Sequence, residues 1–452
     1  MKRIFKFSLA AGVVSAMSIA GMGEANAAVS TETAFVFNSF SFLVHGVLVM
    51  FMAAGFAMLE SGLVRAKNTA TICLKNIALY SIAGLMFYLI GYAVMYANVD
   101  GGWIGTFDFL YNPAESELGL LNAADAGKEA ANAALLKDSS YASMSDWFFQ
   151  MVFVATAASI VSGVLAERIK LWPFMIFVVV LAAIIYPIQG SWVWGAGWLS
   201  EMGFSDFAGS TLVHSTGGWA ALAGAIVLGA RKGKYGPNGA VNPMPGANLL
   251  LATLGTFILW FGWFGFNGGS QLALGSAADV TAIAIVYVNT NLAAAAGVVV
   301  AMIMTQLMFK KVDLTLCLNG AIGGLVAITA GPDLQNHAYA ILIGGIGGAL
   351  VVIAVPLIDK MKIDDVVGAI SAHLVSGIWG TLAVGIFGSG SIVTQFIGIV
   401  AIGAFVFVTS LIVWLILKAT IGIRADVEEE MAGLDSSELG IEAYPEFGGG
   451  SR

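Results

Sequence analysis

Charge is what this chain has least of. Only 11% of its 452 residues are Asp, Glu, Lys or Arg, against about 25% in an ordinary soluble domain. So few charges over this length cannot cover a water-facing surface, which excludes a soluble globular protein. Basic residues do not outnumber acids either. The net charge is −8, and the acids gather in one loop and one tail, so the chain presents no nucleic-acid face. Cysteine is nearly absent. Cys73 and Cys317 both sit in apolar stretches, which argues against a disulfide framework and against a Cys-based metal site. No nucleophile, phosphate loop or cofactor motif interrupts the loops, so the sequence implies neither an enzyme nor a bound cofactor.

Apolar sequence is what abounds. The chain is 58% hydrophobic with a mean hydropathy of +0.87. Apolar runs of about 20 residues recur, each long enough to cross a bilayer core. A β-barrel would show shorter, alternating segments. The 56 glycines suit helices that pack closely in lipid, with Gly320/Gly324 and Gly344/Gly348 spaced for packing faces. The reading is an all-α integral membrane protein with eleven transmembrane helices. The spans fall near 34–60, 70–97, 146–166, 171–190, 209–230, 248–268, 280–307, 314–330, 338–358, 366–388 and 392–422.

Residues 1–27 read as a cleaved signal peptide. Lys2, Arg3 and Lys6 make the basic start, Phe7 to Met22 the apolar run, and Ala25-Asn26-Ala27 the cleavage site. The mature N-terminus, Ala28, then lies outside. Residues 28–424 form the membrane domain, with 98–145 an acidic extracytoplasmic loop, and 425–452 form a cytoplasmic tail. The NAADAGKEAANAALL segment of the loop reads as a short exposed helix or a mobile lobe. Threaded this way, fourteen Lys and Arg fall on the cytoplasmic side and only Lys128 and Lys137 outside, the bias that cytoplasmic loops carry.

Ten spans divide into two sets of five plus a C-terminal helix. An odd-numbered unit repeated once must enter the membrane inverted, a plan that places the working site midway between halves. His214 in the fifth span and His373 in the tenth occupy matching places. An ionisable group within a span is costly and marks function by default. Two neutral imidazoles can share a hydrogen bond and pass a proton near neutral pH. The plainer role is to glue helices, against which the matched placement argues. No carboxylate or thiol lies at ligand spacing on those spans, so no metal is expected.

Asp206 stands eight residues before His214, about 12 Å along a helix. It suits an N-cap, a cation or proton role, or both. Phe149, Phe153, Trp194, Phe266 and Ser270 fall at outer span ends. Such residues form either an interfacial belt or a cation-attracting cage. Glu60 reads as a structural partner of Arg65 or Lys67.

Several long segments, in order, resemble the ammonium transporter family, which includes the microbial and plant ammonium transporters and the Rh proteins. They are FAMLESGLVRAKN (56–68), SGVLAERIK (162–170), DFAGSTLVHSTGGWAALAGA (206–225), WFGFNGGS (263–270), DDVVGAISAHLVSGIWGTLAVGIF (364–387) and GIRADVEEEMAGLDSSELGIEAY (422–444). The resemblance implies a homotrimer in the bacterial cytoplasmic membrane, each subunit with its own ammonium pore. It implies that His214 and His373 are the pore histidines, that Phe153, Trp194, Ser270 and Asp206 bind the substrate outside, and that Phe153 and Phe266, with Phe149, gate the mouth. It also implies that the acidic tail, by composition a solvated chain, docks on the cytoplasmic face and receives a PII-type signalling protein. Leu374, Ser376 and Leu439 depart from the family pattern. The rival reading is a receptor that uses the same pore as an ammonium-binding site and signals.

Overall fold

In hydrocarbon, backbone N–H and C=O groups find no water, so a spanning segment must bond them within itself. The computed structural model describes residues 29–445, and the expected signal peptide lies outside them. Among the described residues the only β pairing is two isolated bridges. The rest of the regular structure is helical. The spans are α1 (Thr31–Leu63), α2 (Ala66–Tyr96), α3 (Ser143–Val164), α4 (Leu171–Ser191), α5 (Ser210–Leu228), α6 (Leu249–Gly269), α7 (Ala277–Phe309), α8 (Leu314–Ile328), α9 (His337–Lys360), α10 (Ile370–Phe387) and α11 (Ile392–Thr420). Ten are long and apolar enough to cross a membrane. The eleventh, α8, is equally apolar but has 15 residues. It is buried without interruption from Leu316 to Ile328, so it runs through protein rather than along lipid.

Burial sorts the helices. The apolar window of α3 is 89% buried and that of α5 83%, while α7 reaches 28% and α11 33%. The first two therefore sit at the bundle centre and the last two on its rim. What the rim exposes is apolar, as at Phe257, Met302, Phe396 and Leu415, a surface suited to acyl chains.

Glycine lets the helices meet. A Cβ on Gly320, Gly324, Gly344 or Gly348 would run into α7 at Ala293, Gly297 or Ala301. The two pairs named from sequence thus are contact faces. A second contact joins α5 to α10. Gly218 lies four residues after His214 and packs on Leu374, the residue following His373. Gly377 lies four residues after His373 and packs on Ser215, the residue following His214. The exchange is what two inverted halves crossing at their centres would produce.

The acidic loop is anchored rather than loose. It carries two short helices, Glu115–Asn122 and Lys128–Asp138. Glu117 accepts hydrogen bonds from the Ser143 backbone N–H and hydroxyl, at 2.5 and 2.6 Å, which pins the first of them to the start of α3.

The opposite end of the bundle is basic. Arg65 and Arg231 converge on Glu167, the latter at 3.3 Å, and Arg231 also takes Asp364 with two bonds, at 2.8 and 2.9 Å. This corrects the expected partner of Glu60. The chain turns extended at Val64 (φ −86, ψ 164) and carries Arg65 away to Glu167, while Lys67 donates to the Glu430 and Met431 carbonyls of the tail. The described part of the tail is docked here through Glu430 and Asp435. Asp435 accepts from the Ala70 and Thr71 backbone N–H groups at the start of α2, at 2.9 and 2.7 Å, where a helix N-terminus favours an anion. Glu430 takes the Lys232 N–H and the Arg424 guanidinium, both at 2.6 Å.

The α5–α10 crossing leaves no room for a methyl group. Gly218→Ala and Gly377→Ala should each destabilise the protein by about 1–3 kcal/mol through overpacking, read as a lower thermal midpoint in detergent. Gly119→Ala, where an added Cβ meets nothing and alanine favours the Glu115–Asn122 helix, should not lower the midpoint. Equal midpoints for all three would contradict the close crossing.

Candidate functional site

Two carboxylates start two helices in the same way. Asp206 accepts from the backbone N–H groups of Gly209, Ser210, Thr211 and Leu212, at 2.8–3.0 Å. Asp365 accepts from Gly368, Ala369 and Ile370, at 2.7–3.0 Å. In each case the third residue on is a glycine with positive φ, Gly209 at 110° and Gly368 at 79°, which a side chain would disfavour. Each is followed by one widened, π-type turn, Ser210–Ser215 and Ile370–Val375, a distortion common at functional sites. Each turn carries one histidine, eight residues after its aspartate.

Asp365 is therefore the residue that the sequence reading missed. The signal was present as a repeated D-x-x-G-x-x-x-x-H spacing. Its neighbour Asp364 differs: burial opposes its charge, but the Arg231 guanidinium bonded to it, with Arg168 behind, holds the carboxyl at about 2. Burial pushes Asp365 up to about 6 against the pull of its three N–H groups.

The two turns bring His214 and His373 together. Their Nδ1 atoms are 3.2 Å apart, so one donates and the other accepts, and both rings can stay neutral. Both histidines are buried, His214 completely. Its Nε2 has no partner in the protein, a polar atom that calls for one. His214 is in stacking contact with Trp263, centroids 4.8 Å apart, and with Phe266, at 5.2 Å. Phe56 covers the far side of His373 at 6.2 Å. Trp263 and Phe56 were not singled out from sequence, although both lie in quoted segments.

Towards the end that carries the acidic loop, aromatic rings close the axis. Phe153 and Phe266 pack against each other, tilted by 33°, with centroids 4.1 Å apart. Phe149 packs on Phe153 at 4.8 Å and Trp194 meets it edge-on at 5.9 Å. Phe149, Phe153 and Phe266 are buried while Trp194 and Ser270 are half-buried. The Ser270 hydroxyl donates to the Phe266 carbonyl at 2.9 Å, which leaves its oxygen free to accept. The Trp194 indole N–H donates to the backbone carbonyl of Asp206 at 3.0 Å. Asp206 is thus tied to the mouth by its backbone, and its carboxylate is spent on four N–H groups. The other two histidines lie elsewhere. His45 bonds Ser41 and Tyr287, and His337 bonds Asn289. Leu374 packs against Gly218, and Ser376 reaches the Gly347 and Ser371 carbonyls only at 3.5 Å.

Such a molecule is a multi-pass helical membrane protein with a buried, aromatic-lined axis that centres on a histidine pair. The chain belongs to the Ammonium Transporter Family, whose model matches residues 40–444. It is 41% identical over 436 residues to the ammonium transporter Amt2 of Archaeoglobus fulgidus, covering 90% of this chain and 87% of that one. It is 39% identical over 439 residues to a putative ammonium transporter of Synechocystis, covering 95% and 94%. Among solved structures, a protein described as Sensor Amt Protein superposes with a TM-score of 0.81 at 37% identity, covering 91% of this chain and 100% of that one. Candida albicans Mep2 superposes at 0.76 and 26% identity, covering 93% of each.

The four bonds to Asp206 make a sharp prediction. Hydrogen bonds to a charged group each contribute about 1.5–3 kcal/mol. Asp206→Ala should therefore cost at least about 2 kcal/mol of stability, while Asp206→Asn should cost less. Thermal unfolding in detergent measures both. An Asp206→Ala midpoint equal to wild type would refute the capping role.

Proposed function

We propose that this chain conducts ammonium into a bacterial cell across the cytoplasmic membrane, passing it as ammonia along the axis through Phe153, Phe266, His214 and His373. The observation that carries this reading is the histidine pair itself. It is a polar pair inside an aromatic column, with one ring nitrogen left without a partner.

Ammonium loses its proton with a pKa of roughly 10, close to that of a lysine side chain. Taking a bare cation through a dry column is costly, whereas neutral ammonia passes cheaply. At the outer mouth the faces of Trp194 and Phe153 attract the cation, worth up to about 2 kcal/mol once water is stripped. Ser270 offers its free lone pair to an N–H, which potassium lacks. Desolvation lowers the pKa of the held cation, and a proton leaves to water. Asp206 serves by building this mouth, since its carboxylate is already filled. The Phe153 and Phe266 rings must part to admit ammonia, with Phe149 behind them. Ammonia then meets the open Nε2 of His214, which gives or takes a hydrogen bond according to tautomer. The imidazoles share one bond and can relay a proton between them.

The orientation follows from charge: tail and basic end in the cytosol, the 98–145 loop outside. A trimeric assembly and a PII-type partner at the docked tail follow from the family resemblance. A second reading, a sensor, draws support from the similarity to the Sensor Amt Protein.

Purified protein in liposomes, pulsed with ammonium, should move it inward, seen as current or as a change in internal pH. A sensor would show binding without flux. His214→Ala and His373→Ala should each lower the selective rate about tenfold or more, a barrier increase of about 1.4 kcal/mol, or admit potassium. If both variants fold and keep wild-type rate and selectivity, the histidine path is wrong.

The tail and the topology are tested together. A cysteine at exposed Ala134 should react with an impermeant thiol reagent on spheroplasts, and one at exposed Met431 should not. Deleting residues from Ala425 onward should change the transport rate or abolish its response to added PII protein. Labelling at Met431 from outside would invert the orientation, and an unaltered response would leave the tail without a role.

A further inference from the structure

Below the histidine pair, towards the basic end, lies a buried carboxylate. Glu60 of α1 is 1% exposed. Its Oε2 accepts from the Ser162 hydroxyl at 2.8 Å, but its Oε1 is buried and accepts from no group of the protein. The adjacent Asn76 gives one of its two amide N–H groups to the Ile72 carbonyl at 3.1 Å, and its side chain stands beside the Glu60 carboxylate. Lys75, also buried, donates to the Ser162 carbonyl at 3.1 Å and lies 4.6 Å over the Phe174 ring. Ser162 thus bridges two buried opposite charges without joining them. An open carboxylate oxygen inside a protein is costly, and a native structure that keeps one calls for a function.

Glu60 Oε1 has somewhere to act. Glu60, Phe56, Ser159, Asn319, Val367 and His373 line one cavity of about 10 Å³, room for about one water-sized molecule. Ammonium and ammonia are of that size. The cavity therefore joins the inner histidine to a free carboxylate, across a space for a single small guest.

We propose that this cavity is an inner ammonium-binding site, with Glu60 Oε1 accepting an N–H of the cation re-formed after the histidine pair. Ammonia leaving His373 takes a proton from hydronium of the cytoplasmic water. One N–H bond forms as one O–H bond of hydronium breaks, and water is left. The carboxylate holds the product cation on the inner side, as the aromatic mouth holds it on the outer side. Lys75 keeps the empty site charge-balanced. The inference rests on the reading that the axis through His214 and His373 is the path.

The test uses the full chain in liposomes, with ammonium chloride as the probe. Glu60→Gln keeps the shape and can still accept the Ser162 bond, yet loses the charge. It should lower the ammonium rate about tenfold or more, with assembly unchanged and Glu60→Asp restoring part of it. Glu60→Gln combined with Lys75→Met removes both buried charges, so it should fold even if the single variant does not. The double variant should transport as poorly as the single one. If Glu60 merely balances Lys75, the double variant returns to wild-type rate and the proposal is overturned, as it is if Glu60→Gln alone transports normally. His373→Ala is measured alongside. A loss there with normal Glu60 variants sinks the inner site alone, whereas a normal rate in His373→Ala means that the path reading has failed.

Discussion

Two carboxylates bonded to bare helix starts hold the centre of this molecule in place. The first N–H groups of a helix have no partner within it, and deep in a bundle water does not supply one. Asp206 and Asp365 supply it from within the chain. Each thereby fixes a glycine turn, a widened helical turn, and the height at which a histidine stands. The 3.2 Å contact between His214 and His373 follows from the two caps and from the glycine crossing that lets α5 and α10 touch. The aromatic mouth depends on the same support, because the backbone of Asp206 holds the Trp194 indole.

The spans were legible because hydrocarbon dictates composition directly. Twenty apolar residues have few other uses, so all eleven helices lie within a few residues of their expected places. The histidines were legible because ionisable groups are rare in such segments. What escaped depends on which atoms are left over once the chain is folded. Glu60 stands five residues from Arg65 in sequence, yet the extended turn at Val64 parts them. Asp364 and Asp365 are adjacent and chemically identical, yet one pairs with Arg231 and the other caps a helix. The tail has the composition of a solvated chain, but Asp435 binds backbone N–H groups and Glu430 a guanidinium of the bundle. Composition records how many charges a segment has and is silent on what they touch.

The polar groups sort along the axis by function. On the proposed path, the aromatic faces and the single Ser270 hydroxyl at the outer end would attract a cation without a full negative charge to trap it. In the middle, neutral imidazoles offer hydrogen bonds but no net charge, which suits a neutral guest. At the inner end, buried ions recur: Glu60 and Lys75, then Glu167, Arg231 and Asp364. The tail closes on this last cluster through Glu430 and Lys232, so a protein that displaced it would act on the loops that fix the inner ends of α1, α3, α5 and α10.

On the proposed path ammonium sheds a proton to cross, and a cation without one to shed is refused. Uptake of nitrogen-15 ammonium into liposomes, with potassium in large excess outside, tests this most directly. The account predicts that the wild-type chain takes up the label at the rate seen without potassium and carries no potassium itself. Potassium entry, or competition that slows the label, would contradict it.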